Sequence, residues 1–184
     1  PMSQTTVTPQ NIVLIGFMGS GKSTVGRELQ QRLGYPLIDM DRCIEEAMGK
    51  KITEIFKEEG EAAFRDLETL ELLEIAKKTD ENQIISTGGG IVIRPQNRSL
   101  LRKLGYVVWL HAPEDVIYDR TSRNQDRPLL NHADAREKIT NLLAEREPWY
   151  RETAHLKIDT AGLDSNEIAT GILESARYYF THSK

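Results

Sequence analysis

The stretch Gly16-Phe17-Met18-Gly19-Ser20-Gly21-Lys22-Ser23 narrows what this chain can fold into more than any other. It fits G-x-x-x-x-G-K-[ST], a pattern that needs a strand before it and a helix after it. The glycines let successive N–H groups turn inward on phosphate, and the helix N-terminus adds positive potential. Both flanks comply: apolar residues 12–15 read as a strand, and 22–33 have helical periodicity closed by Gly34 as a C-cap. Expected nucleotide contacts run from Gly19 through Ser20, Gly21, Lys22 and Ser23 to Thr24, with Lys22 on the β and γ oxygens and Ser23 as a magnesium ligand. A chance glycine-rich turn is the competing reading.

Further along, short apolar runs at 35–40, 83–87, 106–111 and 156–159 alternate with amphipathic stretches. Helices are expected over 41–78, broken near Gly49 and Gly60, then before Tyr106, after Pro113, over 133–147 with Pro148 as the stop, and over 165–179 with Ser165 as N-cap. Strands separated by helices imply a parallel sheet covered on both faces. The expected fold is therefore α/β, a three-layer sandwich, with ligands beyond the carboxyl ends of the strands. Residues 1–10 read as a frayed tail or an expression remnant, and 11–184 as a single domain.

Composition removes other classes. Lys and Arg total 24 against 28 Asp and Glu, so no basic excess draws nucleic acid, and no apolar run approaches the ~20 residues of a membrane helix. Cys43 is the only cysteine, which suits a reducing cytoplasm and excludes an internal disulfide. The four histidines show no metal-ligand spacing.

Magnesium on a phosphate loop usually also needs a carboxylate at a strand end. Asp39 follows Leu37 and Ile38, and Asp41 lies two residues on; if the strand stays extended, both point to the cleft, one for metal and one for an acceptor. The competing reading is that Asp41 merely N-caps a helix beginning at Arg42. Arg65, with Glu61 four residues before and Glu68 three after, has the spacing of a solvated ion pair, while Ala63, Leu67, Leu70 and Leu73 read as the buried stripe of its helix. Arg146 reads as a helix C-terminal cation. Arg120, Arg123 and Arg127 cluster around the polar segment 124–131, which is either a lid or a solvated loop. Gly88, Gly89 and Gly90 directly follow a strand, where three glycines permit close approach of backbone to a ligand.

Taken in order, the phosphate loop, Ile38-Asp39-Met40-Asp41, Phe64-Arg65, Thr87-Gly88-Gly89-Gly90, Arg127-Pro128-Leu129-Leu130 and Arg146 with Tyr150 resemble the shikimate kinase family. The resemblance implies a P-loop kinase with a five-stranded parallel sheet that uses ATP and Mg2+ to phosphorylate the 3-hydroxyl of shikimate. It implies that Asp41 contacts the acceptor hydroxyls, that Arg65 and Arg146 hold its carboxylate, and that Gly88, Gly89 and Gly90 complete the pocket. It further implies that Arg127 approaches the ATP phosphates from the lid and that Arg120 joins the nucleotide site. Lys22, Asp41 and Arg127 are then the catalytic set, and Ser23 and Asp39 the metal set. Here Met40 replaces the commoner Thr between the aspartates, and Ala161, Gly162 and Leu163 supply no stacking group for adenine. A cytoplasmic monomer acting on a small molecule is expected. The alternatives are another small-metabolite kinase, such as one for gluconate, and a nonenzymatic nucleotide-binding switch.

Overall fold

A computed structural model describes residues 10–78, 80–123 and 134–182. Its centre is β1 (Ile12–Ile15), whose four residues are all fully buried because the strand is covered on both faces. Hydrogen-bonded around it are β2 (Leu37–Asp39), β3 (Ile84–Ser86), β4 (Tyr106–His111) and β5 (Leu156–Asp159), all parallel in the order β2-β3-β1-β4-β5.

Period-two alternation sorts the core into two halves. Ile12, Leu14, Ile84, Tyr106, Val108 and Leu110 face α1 (Lys22–Leu33) and α8 (Ser165–His182), burying Val25, Leu29, Ile168 and Ile172. Val13, Ile15, Ile85, Val107 and Trp109 face the other way, onto Leu72 of α4 (Glu61–Lys77), Leu101 of α5 (Pro95–Leu104) and Tyr150 of α7 (Ala135–Thr153). Of the remaining helices, α2 (Met40–Met48) and α3 (Ile52–Glu59) pack on α4, and α6 (Glu114–Ser122) packs on α7. The chain leaves β1 towards β2 and later returns to its other side as β4, so the strand order reverses at the end of β1, where a ligand crevice belongs. Among the described residues no helix is long and apolar enough to cross a membrane.

Several boundaries differ from expectation. β2 and β3 are shorter than 35–40 and 83–87, and Asp164, not Ser165, caps α8 by accepting the Glu167 N–H at 2.8 Å. Helix α7 runs through Pro148 to Thr153. The proline removes one hydrogen bond, to the Ala144 carbonyl, whereas continuing the helix buries Tyr150 and Thr153 almost completely. On α4 the buried face is Phe64, Arg65, Glu68, Thr69, Leu72 and Ile75, while Leu70 is 58% exposed. An apolar stripe through Leu70 turns the helix the wrong way, because a charged pair occupies the face that sequence patterning assigns to solvent.

Candidate active site beyond the strand ends

The loop from β1 to α1 has the conformation its glycines permit. Gly19 and Gly21 take φ of 81° and 98°, which L-residues with side chains rarely adopt. Lys22 lies at the first turn of α1 and its Nζ donates to the carbonyls of Gly16 at 2.5 Å and Phe17 at 3.0 Å. Ser23 and Thr24 are on the same turn, which carries no acidic residue to oppose an anion. The buried Ser20 hydroxyl has no hydrogen-bond partner, an orphan polar atom inside a phosphate-shaped loop. Arg120 of α6 donates from Nη1 to the Gly19 carbonyl at 2.8 Å, which brings it to the loop. Arg127 and the expected lid at 124–131 lie outside the described residues.

The two aspartates are close together but are not arranged as an extended strand would arrange them. β2 ends at Asp39, and α2 begins at Met40. Asp39 is the N-cap, accepting the Arg42 N–H at 3.3 Å, so Asp41 sits inside the first turn and is not the cap. Met40 between them is 1% exposed and packs in the core, facing away from the cleft.

Asp41 reaches the glycine triplet. A Cβ built on Gly88 would lie 2.8 Å from Asp41 Oδ1 and 3.1 Å from Glu68 Oε2. One on Gly90 would collide with the Arg65 guanidinium, and one on Gly89 would lie 3.6 Å from Arg146 Nη1 and 3.3 Å from the Met18 N. The triplet therefore stays bare so that Asp41, Arg65, Glu68 and Arg146 can crowd it on one side and the phosphate loop on another. These groups come from α2, α4 and α7, and no single element could bring them together.

Neither arginine is a solvated charge. Arg65 is 8% exposed and its Nη1 meets Glu68 Oε1 at 2.6 Å, while Nη2 lies 3.4 Å from Glu61. Its guanidinium stands over the rings of Phe56 and Phe64, at 5.9 and 5.3 Å. Glu68 is 1% exposed; burial pushes its carboxyl above the usual range, against the opposing pull of Arg65. Arg146 is 4% exposed, in mid-helix rather than at a C-terminus, over the Phe17 ring at 5.6 Å, with its Nε unpaired. Buried guanidinium groups with unused donors suit a small anion that completes the charge balance. Sequence reading missed how deeply Glu68 and Tyr150 are buried; the signal available was the pair of charges falling at Phe64 and Leu72 spacing on α4.

Among the described residues no group of three or more His, Cys, Asp or Glu side chains makes a metal site. His111 pairs instead with Asp159 at 2.6 Å, and His155 accepts the Val107 N–H at 2.9 Å.

Comparison with known proteins identifies relatives of this chain. A family model described as shikimate kinase matches residues 18–177. A shikimate kinase of Paracidovorax citrulli is 49% identical over 148 residues, covering 80% of this chain and 81% of the relative. One of Thermodesulfovibrio yellowstonii is 44% identical over 165 residues, with 90% and 94% covered. Among solved structures, shikimate kinase from Acinetobacter baumannii in complex with shikimate superposes with a TM-score of 0.88 at 38% identity, over 100% of both chains.

Proposed function

The chain belongs to the shikimate kinase family, and from that premise we propose how its residues divide the work. The reaction is ATP-dependent phosphorylation of shikimate. We take the acceptor to be the 3-hydroxyl. The observation that carries the assignment of residues is the glycine triplet, which has Asp41, Arg65 and Arg146 on one side and Met18 of the phosphate loop on the other.

In this reading Arg65 and Arg146 grip the shikimate carboxylate, because a planar guanidinium offers paired N–H donors in the geometry a carboxylate accepts. Glu61 and Glu68 keep Arg65 turned towards the triplet. Gly88, Gly89 and Gly90 bring bare backbone against the ring. Asp41 orients the attacking hydroxyl and accepts its proton. A loose phosphoryl-transfer transition state asks little of a base, so the larger share of the effect is orientation.

On the nucleotide side, Gly19, Ser20, Gly21 and Thr24 wrap the phosphates, Lys22 leaves the Gly16 and Phe17 carbonyls to meet their charge, and Arg120 adds to the same field. Ser23 and Asp39 would hold Mg2+. One hydroxyl and one carboxylate, with no protein cage among the described residues, suit this ion, which draws its other ligands from water and phosphates. When bound it neutralises charge on the β and γ phosphates. We take the enzyme to be a cytoplasmic monomer, which gel filtration and cell fractionation test.

The deciding experiment compares ADP release from ATP with and without shikimate. Strict dependence on shikimate is expected, with no response to gluconate. Nucleotide binding without acceptor-dependent turnover would favour a nonenzymatic switch and overturn the assignment of roles.

A further inference from the structure

Tyr150 is a buried polar side chain whose hydroxyl meets the backbone of the glycine triplet. It lies four residues after Arg146 on α7, so the two share a face of the helix. The ring is 1% exposed and stacks on Trp109 at 5.7 Å between centroids. Phenylalanine would fill that space equally well. What the hydroxyl adds is specific: it donates to the carbonyl of Gly89, the residue that the Arg146 guanidinium also approaches. Burial raises the phenol far above its ordinary range, so it keeps its proton and remains a donor throughout the working pH.

This single hydroxyl therefore ties α7, the helix that carries Arg146, to the backbone of the triplet. The consequence extends one residue further. The Gly89 carbonyl and the Gly90 N–H belong to the same trans peptide plane and point in opposite directions. Fixing the carbonyl towards α7 therefore fixes the direction of the Gly90 N–H, at the residue whose Cβ position the Arg65 guanidinium fills.

We propose that Tyr150 is a positioning residue for the acceptor: its hydroxyl holds the Gly89–Gly90 peptide plane against α7, in register with Arg146 on the same helix, and so tunes affinity for the acceptor's carboxylate without touching it. The proposal rests on the reading of Arg146 and the triplet as the shikimate pocket. It separates Tyr150 from ordinary core aromatics, because a packing role would be served by the ring alone.

The test is Tyr150→Phe, with Ile172→Val on the opposite layer of the sandwich as a control for lost stability. Steady-state ADP release is measured while shikimate and ATP are varied in turn, beside thermal melts of each protein. Tyr150→Phe is expected to raise the shikimate KM roughly tenfold, the upper end of what a lost neutral hydrogen bond causes. The ATP KM should stay within about twofold and kcat within about threefold, since the phosphate loop is untouched. Ile172→Val should lower the melting temperature and leave both KM values alone. A parent-like shikimate KM in Tyr150→Phe, or equal shifts of both KM values, overturns the role of Tyr150 alone. A parent enzyme with no shikimate-dependent turnover overturns the underlying reading and this proposal with it.

Discussion

Adding one methyl group at Gly90 should disable the acceptor pocket while leaving the nucleotide site intact. The backbone does not forbid it, because Gly90 is not among the glycines with positive φ. The obstacle is Arg65: a Cβ at Gly90 would stand 2.5 Å from its Cζ and 2.6 Å from Nη2, and nearer still to Nη1. Non-bonded carbons approach to about 3.5 Å, so the guanidinium must retreat by roughly 1 Å. Arg65 is flanked by Glu68, already at 2.6 Å, and by the rings of Phe56 and Phe64. A 1 Å retreat from Glu68 takes that contact beyond about 3.5 Å, where it is no longer a hydrogen bond. Loss of a hydrogen bond to a charged group costs about 1.5–3 kcal/mol, which for a chain of this size lowers the melting temperature by roughly 3–12 °C. Misplacing a substrate-gripping group by that distance costs about 100-fold in rate. Gly90→Ala should therefore show shikimate kcat/KM down about 100-fold and an ATP KM within about twofold of the parent, read by coupled ADP release and a thermal melt. If kcat/KM stays within about threefold and the melt is unchanged, the guanidinium has room that this geometry denies, and the pocket does not require a bare triplet.

Three further outcomes check separate parts of the site. Lys22→Met should cut kcat by about 10²–10³ with the circular dichroism spectrum unchanged, and a parent-like rate would remove Lys22 from the phosphate chemistry. Asp41→Asn keeps shape but turns one acceptor oxygen into a donor, so it loses the orientation of the hydroxyl along with the proton acceptor; turnover should fall by about 10² and the shikimate KM should rise by no more than about tenfold, whereas normal binding with normal turnover would show that Asp41 has no such role. Stability should decline as pH falls below about 6.5, the unfolded value of histidine, since burial and then the nearby Arg102 charge hold the His155 imidazole below its ordinary range. In that window the unfolded chain binds the proton that the folded chain refuses, so protonation favours unfolding. His155→Asn, whose carbonyl can replace Nδ1 as acceptor for the Val107 N–H, should flatten this dependence; an equally steep fall of melting temperature from about pH 7.5 to 5.5 would assign it to other groups.

The sheet and the phosphate loop were legible because their causes are local. A strand buried on both faces must be a continuous apolar run, as in residues 12–15 and 107–110, and a loop that turns N–H groups inward must spend glycines at fixed spacing. The triplet after β3 was legible for the same reason, since nothing else in that position excuses three bare residues. Two local rules misled. Pro148 is a helix breaker unless the residues after it have a core to enter, and Trp109 and its neighbours on β4 supply one for Tyr150. Asp39 and Asp41 share a strand face only if the strand reaches Asp41, and the cap at Asp39 ends it first.

By itself, then, the sequence determined that this is a parallel α/β sheet with a phosphate loop at the end of its first strand, because those features depend on neighbours along the chain. Only the tertiary structure decided that Arg65 and Arg146 are buried rather than solvated charges. Whether a charge is exposed depends on what packs over it, and the groups over these two come from α3, α4, the phosphate loop and the triplet, which meet only once the sheet has formed.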